Sequence, residues 1–205
     1  MASIQKFKQT QIVNQLRHIE RTIQNPSNKD IDATRLDNNY SLVPQRAMSS
    51  YEYFLRRKAE LYCMKRNDIT LMCGWIITFP QNAPKSEQTR FFQLVYEFLN
   101  NRYGRENCIQ AVVHNDESGQ PHLHYCFIPA VIDKKHNGEK ICCNELINRT
   151  ELRNFHPALQ KYLYDNQLNI NIISGITKKQ GGNRTVADMK KERKYNYSYE
   201  HERRW

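Results

Sequence analysis

Residues 114–124 read His114-Asn115-Asp116-Glu117-Ser118-Gly119-Gln120-Pro121-His122-Leu123-His124, which places three imidazoles and two carboxylates in one short run. The flanking residues 109–113 are mostly apolar and β-branched, and residues 125–128 are aromatic and apolar, as in strands. Asn115, Asp116 and Gly119 supply the residue types that favour a turn. The stretch therefore predicts two antiparallel strands joined by a polar turn.

The alternation of side chains along a strand determines where the three histidines point. His122 and His124 share one face, Leu123 points to the other face, and His114 ends the partner strand beside them. Three imidazoles can then converge on one cation and leave coordination positions open, and they suit manganese, zinc, nickel or iron better than magnesium or calcium. A His-x-His pair alone also fits a solvated strand face. The third histidine and the acidic pair favour the metal site.

Composition points to a protein that handles nucleic acid. The 205 residues, 39% hydrophobic, can bury one sizeable core, and the 31 basic residues give a net charge of +10. Such a charge suits phosphate backbones, although it also fits simple solubility. The N-terminus has no signal peptide and no run has the length of a membrane span, so we expect a cytoplasmic protein. Six cysteines without a C-x-x-C pair indicate reduced core thiols.

Periodicity predicts an α+β fold with a central antiparallel sheet flanked by helices. The predicted strands beyond the histidine pair are residues 4–8, 71–79, 140–143 and 169–173, the last at a sheet edge. The predicted helices are residues 9–23, 49–66, 86–103 and 148–167, followed by a basic helix that begins at Thr185. Residues 29–42 are predicted to be an irregular polar segment, and residues 25–28 to close the first helix.

The domain prediction is a catalytic domain over residues 1–194 and a basic, aromatic tail over residues 195–205. The tail composition suits base stacking on single strands, or an amphipathic helix that begins a further C-terminal region.

The first predicted helix carries a histidine and an arginine away from its apolar stripe. His18 and Arg21 are three residues apart, so both side chains can address the same ligand. The alternative is an exposed basic face with no ligand.

Five segments of this chain occur in an order that resembles the Mob/Pre relaxases, plasmid mobilisation proteins of the HUH endonuclease superfamily. The likeness runs from about residue 4 to about residue 190. The segments are Ile4-Gln5-Lys6-Phe7-Lys8, Arg17-His18-Ile19-Glu20-Arg21, Ser27-Asn28-Lys29-Asp30-Ile31, Asn39-Tyr40-Ser41-Leu42 and the histidine stretch itself.

The resemblance implies a role for each candidate site residue. His114, His122 and His124 would hold a divalent ion, manganese or magnesium, and the imidazole set favours manganese. His18 would be the nucleophile where most HUH enzymes use tyrosine, with Arg21 beside it. Glu117 would activate the nucleophile or orient the ligands, and Asp116 would support them. The chain departs from the family pattern in having one extra residue between Glu117 and Pro121.

The resemblance also implies function, fold core and partners. The core would be ferredoxin-like, as in RRM domains. The protein would nick and rejoin one strand of plasmid DNA at the transfer origin, through a covalent link between histidine and the 5′ phosphate. Its partner would be DNA, as a single strand or hairpin, and homodimerisation would use regions beyond this chain. Predicted DNA contacts are Lys29, Arg35, Asn39, Tyr40 and Arg46.

Two alternatives remain open at this point. The first is another HUH enzyme, a rolling-circle replication initiator or transposase, with Tyr40 as the nucleophile. The second is a nucleic-acid-binding α+β module that has no catalytic role and whose metal is structural or absent.

Overall fold

The main sheet contains five antiparallel strands. The structure is a computed structural model, which describes residues 2–24, 26, 28–135 and 138–173 of the chain. In chain order the strands are β1 (Ala2–Phe7), β2 (Tyr40–Ser41), β3 (Met72–Thr78), β4 (Cys108–His114) and β5 (His122–Phe127). Their spatial order is β1-β3-β5-β4-β2, so β5, which carries two of the histidines, lies at the centre.

The remaining elements cover and extend this sheet. The helices are α1 (Gln9–Ile19), α2 (Ser50–Ala59), α3 (Gln88–Tyr103), α4 (Cys143–Leu146) and α5 (Arg149–Asp165). Strands β6 (Ala130–Asp133) and β7 (Gly138–Ile141) form a separate two-stranded sheet. None of the helices within the described residues is both long and apolar enough to cross a membrane.

A hydrophobic core lies on each face of the sheet. On one face, side chains of β3 and β5 pack beneath α3 and α5, where Trp75 stacks on Phe155 with ring centroids 3.7 Å apart. On the other face, Ile12 and Leu16 of α1 pack with Phe54 of α2. Because side chains alternate along each strand, the sheet assigns every strand residue to one of these two faces.

The predicted α+β class and most predicted elements are confirmed. Strand β3, helix α3 and helix α5 lie within a few residues of their predicted bounds, and Gly104, at φ 86°, ends α3 as expected. The predicted cap of α5 is also confirmed, since the Asn148 side chain accepts a hydrogen bond from the Glu151 amide. The described cysteines are free thiols, as predicted.

Several boundaries were wrong. The first helix ends at Ile19 rather than at residue 23, and the helix predicted over residues 49–66 ends at Ala59. The polar segment of residues 29–42 is more ordered than expected, since it contains a 3-10 helix (Ala33–Asn38) and strand β2. Residues 140–143 do not extend the main sheet, because β7 pairs with β6 and, through Lys140, with Tyr62, which is not part of that sheet.

The predicted edge strand at residues 169–173 does not form. A side chain of α5 supplies the hydrogen bonds that a neighbouring strand would have supplied. The Gln160 amide donates to the Ile170 carbonyl at 2.8 Å and accepts from the Ile172 amide at 2.7 Å. The predicted helix from Thr185, the tail and part of the predicted turn at residues 25–28 lie outside the described residues.

We expect the Asn148→Ala substitution to destabilise the fold. It removes the acceptor for the Glu151 amide at the first turn of α5, a loss that typically costs about 1 kcal/mol of unfolding free energy. Urea denaturation followed by circular dichroism measures this change. Asn154→Ala, at an exposed position of the same helix, is the matched control and should leave the midpoint nearly unchanged; equal midpoints for both variants would contradict the capping role.

Candidate functional site

The three histidines of the 114–124 stretch converge on the face of the sheet that α1 covers. His114 lies directly opposite His122 in the register of β4 and β5, and His124 is two residues further along β5. The Nε2 atoms of His122 and His124 are 3.1 Å apart, and each histidine offers a ring nitrogen within 4.8 Å of the others. Strand alternation therefore brings the predicted ligand set together.

Hydrogen bonds fix the orientation of two of these rings. His122 Nδ1 lies 3.2 Å from the Gln120 carbonyl, so Nδ1 donates to that carbonyl and Nε2 is the nitrogen that faces His124. His114 Nε2 lies 2.8 Å from the Ile19 carbonyl, and its Nδ1 lies 3.0 Å from Arg21 Nη2. A carbonyl only accepts and a guanidinium only donates, so His114 is neutral with its proton on Nε2. To bind an ion, His114 must give up one of these two contacts.

The chemistry of this donor set suits a divalent ion. Burial is the main cause that lowers the pKa of His114 to about 4, and burial with the neighbouring imidazoles holds the pKa of His124 well below its usual range. Both rings are therefore neutral at neutral pH, which is the form that binds metal. Adjacent nitrogens at bond lengths of about 2.1 Å from one ion lie about 3 Å apart, and the His122–His124 separation matches this spacing.

Arg21 joins the end of α1 to the turn between β4 and β5. It lies two residues past the helix end with φ 57°, a left-handed conformation that turns its side chain back toward the sheet. Its Nε donates to Asp116 Oδ2 at 2.7 Å, and its Nη2 donates to Asp116 Oδ1 at 2.9 Å and to Glu117 Oε1 at 2.8 Å. Arg21 thus contacts both carboxylates and the ring of His114.

Asp116 is the deepest acid of this group. Its side chain is 0% exposed, and burial alone would raise its pKa. Hydrogen bonds from Arg21 and Asn39, with the Arg21 charge, outweigh burial and lower the pKa to about 2. Asp116 is therefore ionised and orients Arg21, and its supporting role for the metal ligands stays a prediction.

His18 lies in the last turn of α1, beside the imidazole cluster. Its ring centroid is 6.4 Å from that of His114 and 6.2 Å from that of His124. Burial, followed by the Arg21 charge, lowers the pKa of His18, although Glu117 opposes the shift. The site thus places a neutral imidazole next to the candidate metal centre, close to Arg21 as the sequence predicted.

The predicted DNA contacts differ in how the fold uses them. Lys29 is exposed, whereas Arg35 donates to the Glu117 carbonyl at 2.7 Å. Arg46 donates to the carbonyls of Cys108 and Ile109, both at 2.8 Å. Arg35 therefore fixes the backbone at Glu117, and Arg46 fixes the start of β4. Contact of either arginine with DNA stays a prediction.

Asn39 and Tyr40 are also held within the fold. Asn39 Oδ1 accepts a hydrogen bond from the Asn115 amide at 2.7 Å. Tyr40 pairs with Val113 and shares its face of the sheet, opposite to the face of His114. Its hydroxyl lies near Gln88 and Thr89 of α3, and burial raises its pKa.

Asn115 is a positioning residue that the sequence identified only as a turn former. Its side chain donates to the Asn38 carbonyl at 2.7 Å and accepts from the Gln88 side chain at 2.8 Å. It therefore ties the histidine turn to the 3-10 helix and to α3. In the sequence, the only indication of this positioning role was that Asn115 lies between two candidate site residues, His114 and Asp116.

Together, the fold and the site define an α+β protein with a candidate metal centre of three imidazoles, beside which lie a histidine of the first helix and an arginine just past its end. The family model described as "Plasmid recombination enzyme" (Mob_Pre) matches residues 1–191. The chain belongs to this family, and the predicted resemblance is confirmed.

Curated relatives carry the same description. A plasmid recombination enzyme of Lactiplantibacillus plantarum is 30% identical over 197 residues, which cover 93% of this chain and 52% of that protein. A plasmid recombination enzyme of Streptococcus agalactiae is 30% identical over 200 residues, which cover 93% of this chain and 38% of that protein. The chain therefore spans about half, or less, of the length of these relatives.

Solved structures of a relaxase domain share the fold. The MobM relaxase domain (MOBV; Mob_Pre), bound to oriT DNA of plasmid pMV158 in a Mn-bound crystal at pH 6.8, matches with a TM-score of 0.75. That match has 27% identity and covers 94% of this chain and 97% of the chain in the MobM relaxase-domain structure. The Mn-bound crystal structure of the same domain at pH 5.5 matches with a TM-score of 0.76 and 26% identity. The match covers 94% of this chain and 98% of the chain in that structure.

We expect Asp116→Asn to destabilise the protein strongly. The substitution leaves the guanidinium of Arg21, which is 9% exposed, without its fully buried counter-charge, and breaking such a pair costs about 3 kcal/mol. Chemical denaturation measures the difference in unfolding free energy.

The matched control for this substitution is Asp165→Asn, because Asp165 pairs with Lys161 at an exposed position of α5. An exposed pair contributes about 0.5 kcal/mol or less. Similar losses for the two variants would contradict the structural role of the Arg21–Asp116 pair.

Proposed function

We propose that this chain is the catalytic domain of a DNA relaxase that nicks and rejoins one strand of plasmid DNA at a transfer origin. His18 is the nucleophile, and His114, His122 and His124 hold a divalent ion, manganese in preference to magnesium. The observation that carries the proposal is the placement of the neutral His18 ring about 6 Å from two rings of the triad. We place the reaction in the cytoplasm, where plasmid DNA resides.

The relatives support the substrate and the ion. The MobM relaxase domain binds oriT DNA in Mn-bound crystals and shares the fold over nearly the whole chain. In this chain the ring nitrogens of the three histidines lie within 4.8 Å of one another, a spacing that one ion could bridge. When bound, the ion withdraws charge from the non-bridging oxygens of the scissile phosphate.

His18 performs the covalent step. A ring nitrogen with a free lone pair forms a bond with phosphorus, and the bond from phosphorus to the 3′ oxygen breaks. That oxygen leaves with the electron pair and takes up a proton, so the products are a free 3′ hydroxyl and a phosphoramidate at the 5′ end. The phosphoramidate retains the energy of the ester, so a 3′ hydroxyl can reverse the step without ATP.

Arg21 and Glu117 prepare His18 for this attack. The Arg21 charge lowers the pKa of His18 and so keeps its ring neutral, and the guanidinium holds Glu117 at 2.8 Å. The Glu117 carboxylate favours a positive charge on His18, which develops as the ring nitrogen bonds to phosphorus. We propose that Glu117 stabilises this charge or takes the ring proton.

The placement of Tyr40 favours histidine over tyrosine chemistry. Tyr40 shares the sheet face of Val113, beneath α3, whereas the triad lies on the opposite face. Its hydroxyl is buried and would have to pass the sheet to reach a phosphate beside the triad. A replication initiator or transposase that uses Tyr40 is therefore the weaker proposal.

We expect His18→Ala to reduce nicking of supercoiled plasmid carrying the cognate origin by at least about a thousandfold, because it removes the attacking atom. Affinity for the labelled single strand should stay within a few-fold of wild type. Gel separation of nicked from supercoiled plasmid measures the first effect, and fluorescence anisotropy measures the second. His156→Ala, a half-buried histidine of α5, is the matched control and should nick normally.

The chemistry of the adduct separates the two nucleophiles. The covalent protein–DNA product should hydrolyse in mild acid, as a phosphoramidate does, and peptide mapping should place the DNA on His18. An acid-stable adduct mapped to Tyr40, or unchanged nicking by His18→Ala, would refute the proposed nucleophile.

We expect EDTA to abolish nicking and Mn²⁺ to restore it better than Ca²⁺, because imidazole nitrogen is a poor ligand for calcium. His122→Ala should weaken Mn²⁺ binding in isothermal titration calorimetry by at least about tenfold, since His122 directs its Nε2 at the site. Nicking that persists in EDTA would show that the reaction needs no ion.

A further inference from the structure

Two cysteines that are distant in sequence lie side by side in the interior. Cys73 lies on β3, and Cys143 is the first residue of α4, 70 positions later. Their sulfur atoms are 3.5 Å apart, and both residues are buried, Cys73 fully and Cys143 with 6% exposed. Neither thiol belongs to the histidine site on the other face of the sheet.

A cation and a hydroxyl complete the surroundings of this pair. Lys6 of β1 lies opposite Cys73 in the strand register and hydrogen-bonds to the Cys143 sulfur, as does Thr70. The hydrogen bond from Cys73, followed by the Lys6 charge, lowers the pKa of Cys143 to about 6, although burial opposes the shift. The same contact, with burial, raises the pKa of Cys73. The contact with Cys73 and the Lys6 charge therefore favour the thiolate form of Cys143.

We infer that Cys73 and Cys143 form a modification site, a buried dithiol that a hydroperoxide oxidises reversibly to a disulfide. The site combines the features that make cysteines sensitive to oxidation: a stabilised thiolate and a second thiol in contact with it. The buried thiols of Cys108 and Cys126 have raised pKa values, mainly through burial. Those two cysteines therefore stay protonated and unreactive.

The oxidation proceeds in two balanced steps. The Cys143 thiolate attacks one oxygen of hydrogen peroxide, the O–O bond breaks, and the hydroxide that leaves takes up a proton to become water. The Cys73 sulfur then attacks the Cys143 sulfenic acid, the S–O bond breaks, and the departing hydroxide takes the Cys73 proton. Two thiols and one peroxide thus give one disulfide and two waters. An external dithiol reverses the bond by exchange.

The geometry allows the bond to form with small movements. The sulfur atoms must approach from 3.5 Å to about 2.05 Å for the bond to form. The product would link β3 covalently to α4. Cys142, the neighbour of Cys143, is half-buried and its thiol instead hydrogen-bonds to Glu145, so it should not compete.

Thiol mapping of the native full chain tests the proposal. The reduced protein is treated with a small excess of hydrogen peroxide, blocked with N-ethylmaleimide, digested without reductant and analysed by mass spectrometry. We expect the protein to lose two blockable thiols and to yield one linked peptide pair that joins Cys73 to Cys143. Dithiothreitol should restore both thiols.

Four variants provide the controls. Cys142→Ser should still form the bond, whereas Cys143→Ser and Cys73→Ser should each abolish it. Lys6→Gln should slow the loss of thiols several-fold, because the thiolate loses its counter-charge. A linkage through Cys142, sulfinic acid at Cys143 with Cys73 still free, or six blockable thiols after peroxide would each overturn the inference.

Discussion

The contact of Arg21 with the acidic turn is the interaction on which the site depends. The guanidinium bonds to Asp116, Glu117 and the His114 ring, so it joins the chain after α1 to the turn between the two central strands. His18 lies three residues before Arg21, and this anchor therefore fixes the nucleophile candidate against the histidine triad. The left-handed φ of 57° at Arg21 has a conformational cost for a non-glycine residue, which the buried ion pair offsets.

The pleat of the sheet imposes a second constraint, because successive residues of a strand point to opposite faces. One face carries the apolar core under α3, and the other carries the histidine site. Along β4, Val113 faces the hydrophobic core under α3 while His114 faces α1, and along β5 Leu123 and His124 divide in the same way. A shift of one residue in register would turn the imidazoles into the core under α3 and would turn Leu123 toward α1. The apolar partners of the histidines thus maintain the geometry of the site.

The features that sequence could predict are those set by short-range periodicity. The alternation at residues 122–124 predicted that the histidines converge, and the helical spacing of α1 placed His18 correctly. The helix was expected to continue past Arg21, yet it ends at Ile19, because the position of Arg21 is decided by a pairing with Asp116, 95 residues away. The strand expected at residues 169–173 does not form for a similar reason. The backbone of this segment hydrogen-bonds to the Gln160 side chain of α5, a tertiary contact that periodicity does not show.

The extra residue of the histidine turn shows how the fold separates a tolerant segment from a fixed one. Ser118, Gly119 and Gln120 are exposed, and a Cβ added at Gly119 would meet no atom within 4 Å. The acidic pair before them is held by the preceding polar segment: the Asp32 amide donates to the Asp116 carbonyl at 2.7 Å, and Arg35 donates to the Glu117 carbonyl at 2.7 Å. An insertion beyond Glu117 therefore lengthens the exposed tip while these backbone bonds hold Glu117 beside Arg21. The extra residue that the resemblance predicts between Glu117 and Pro121 would therefore change the loop and leave the carboxylates in place.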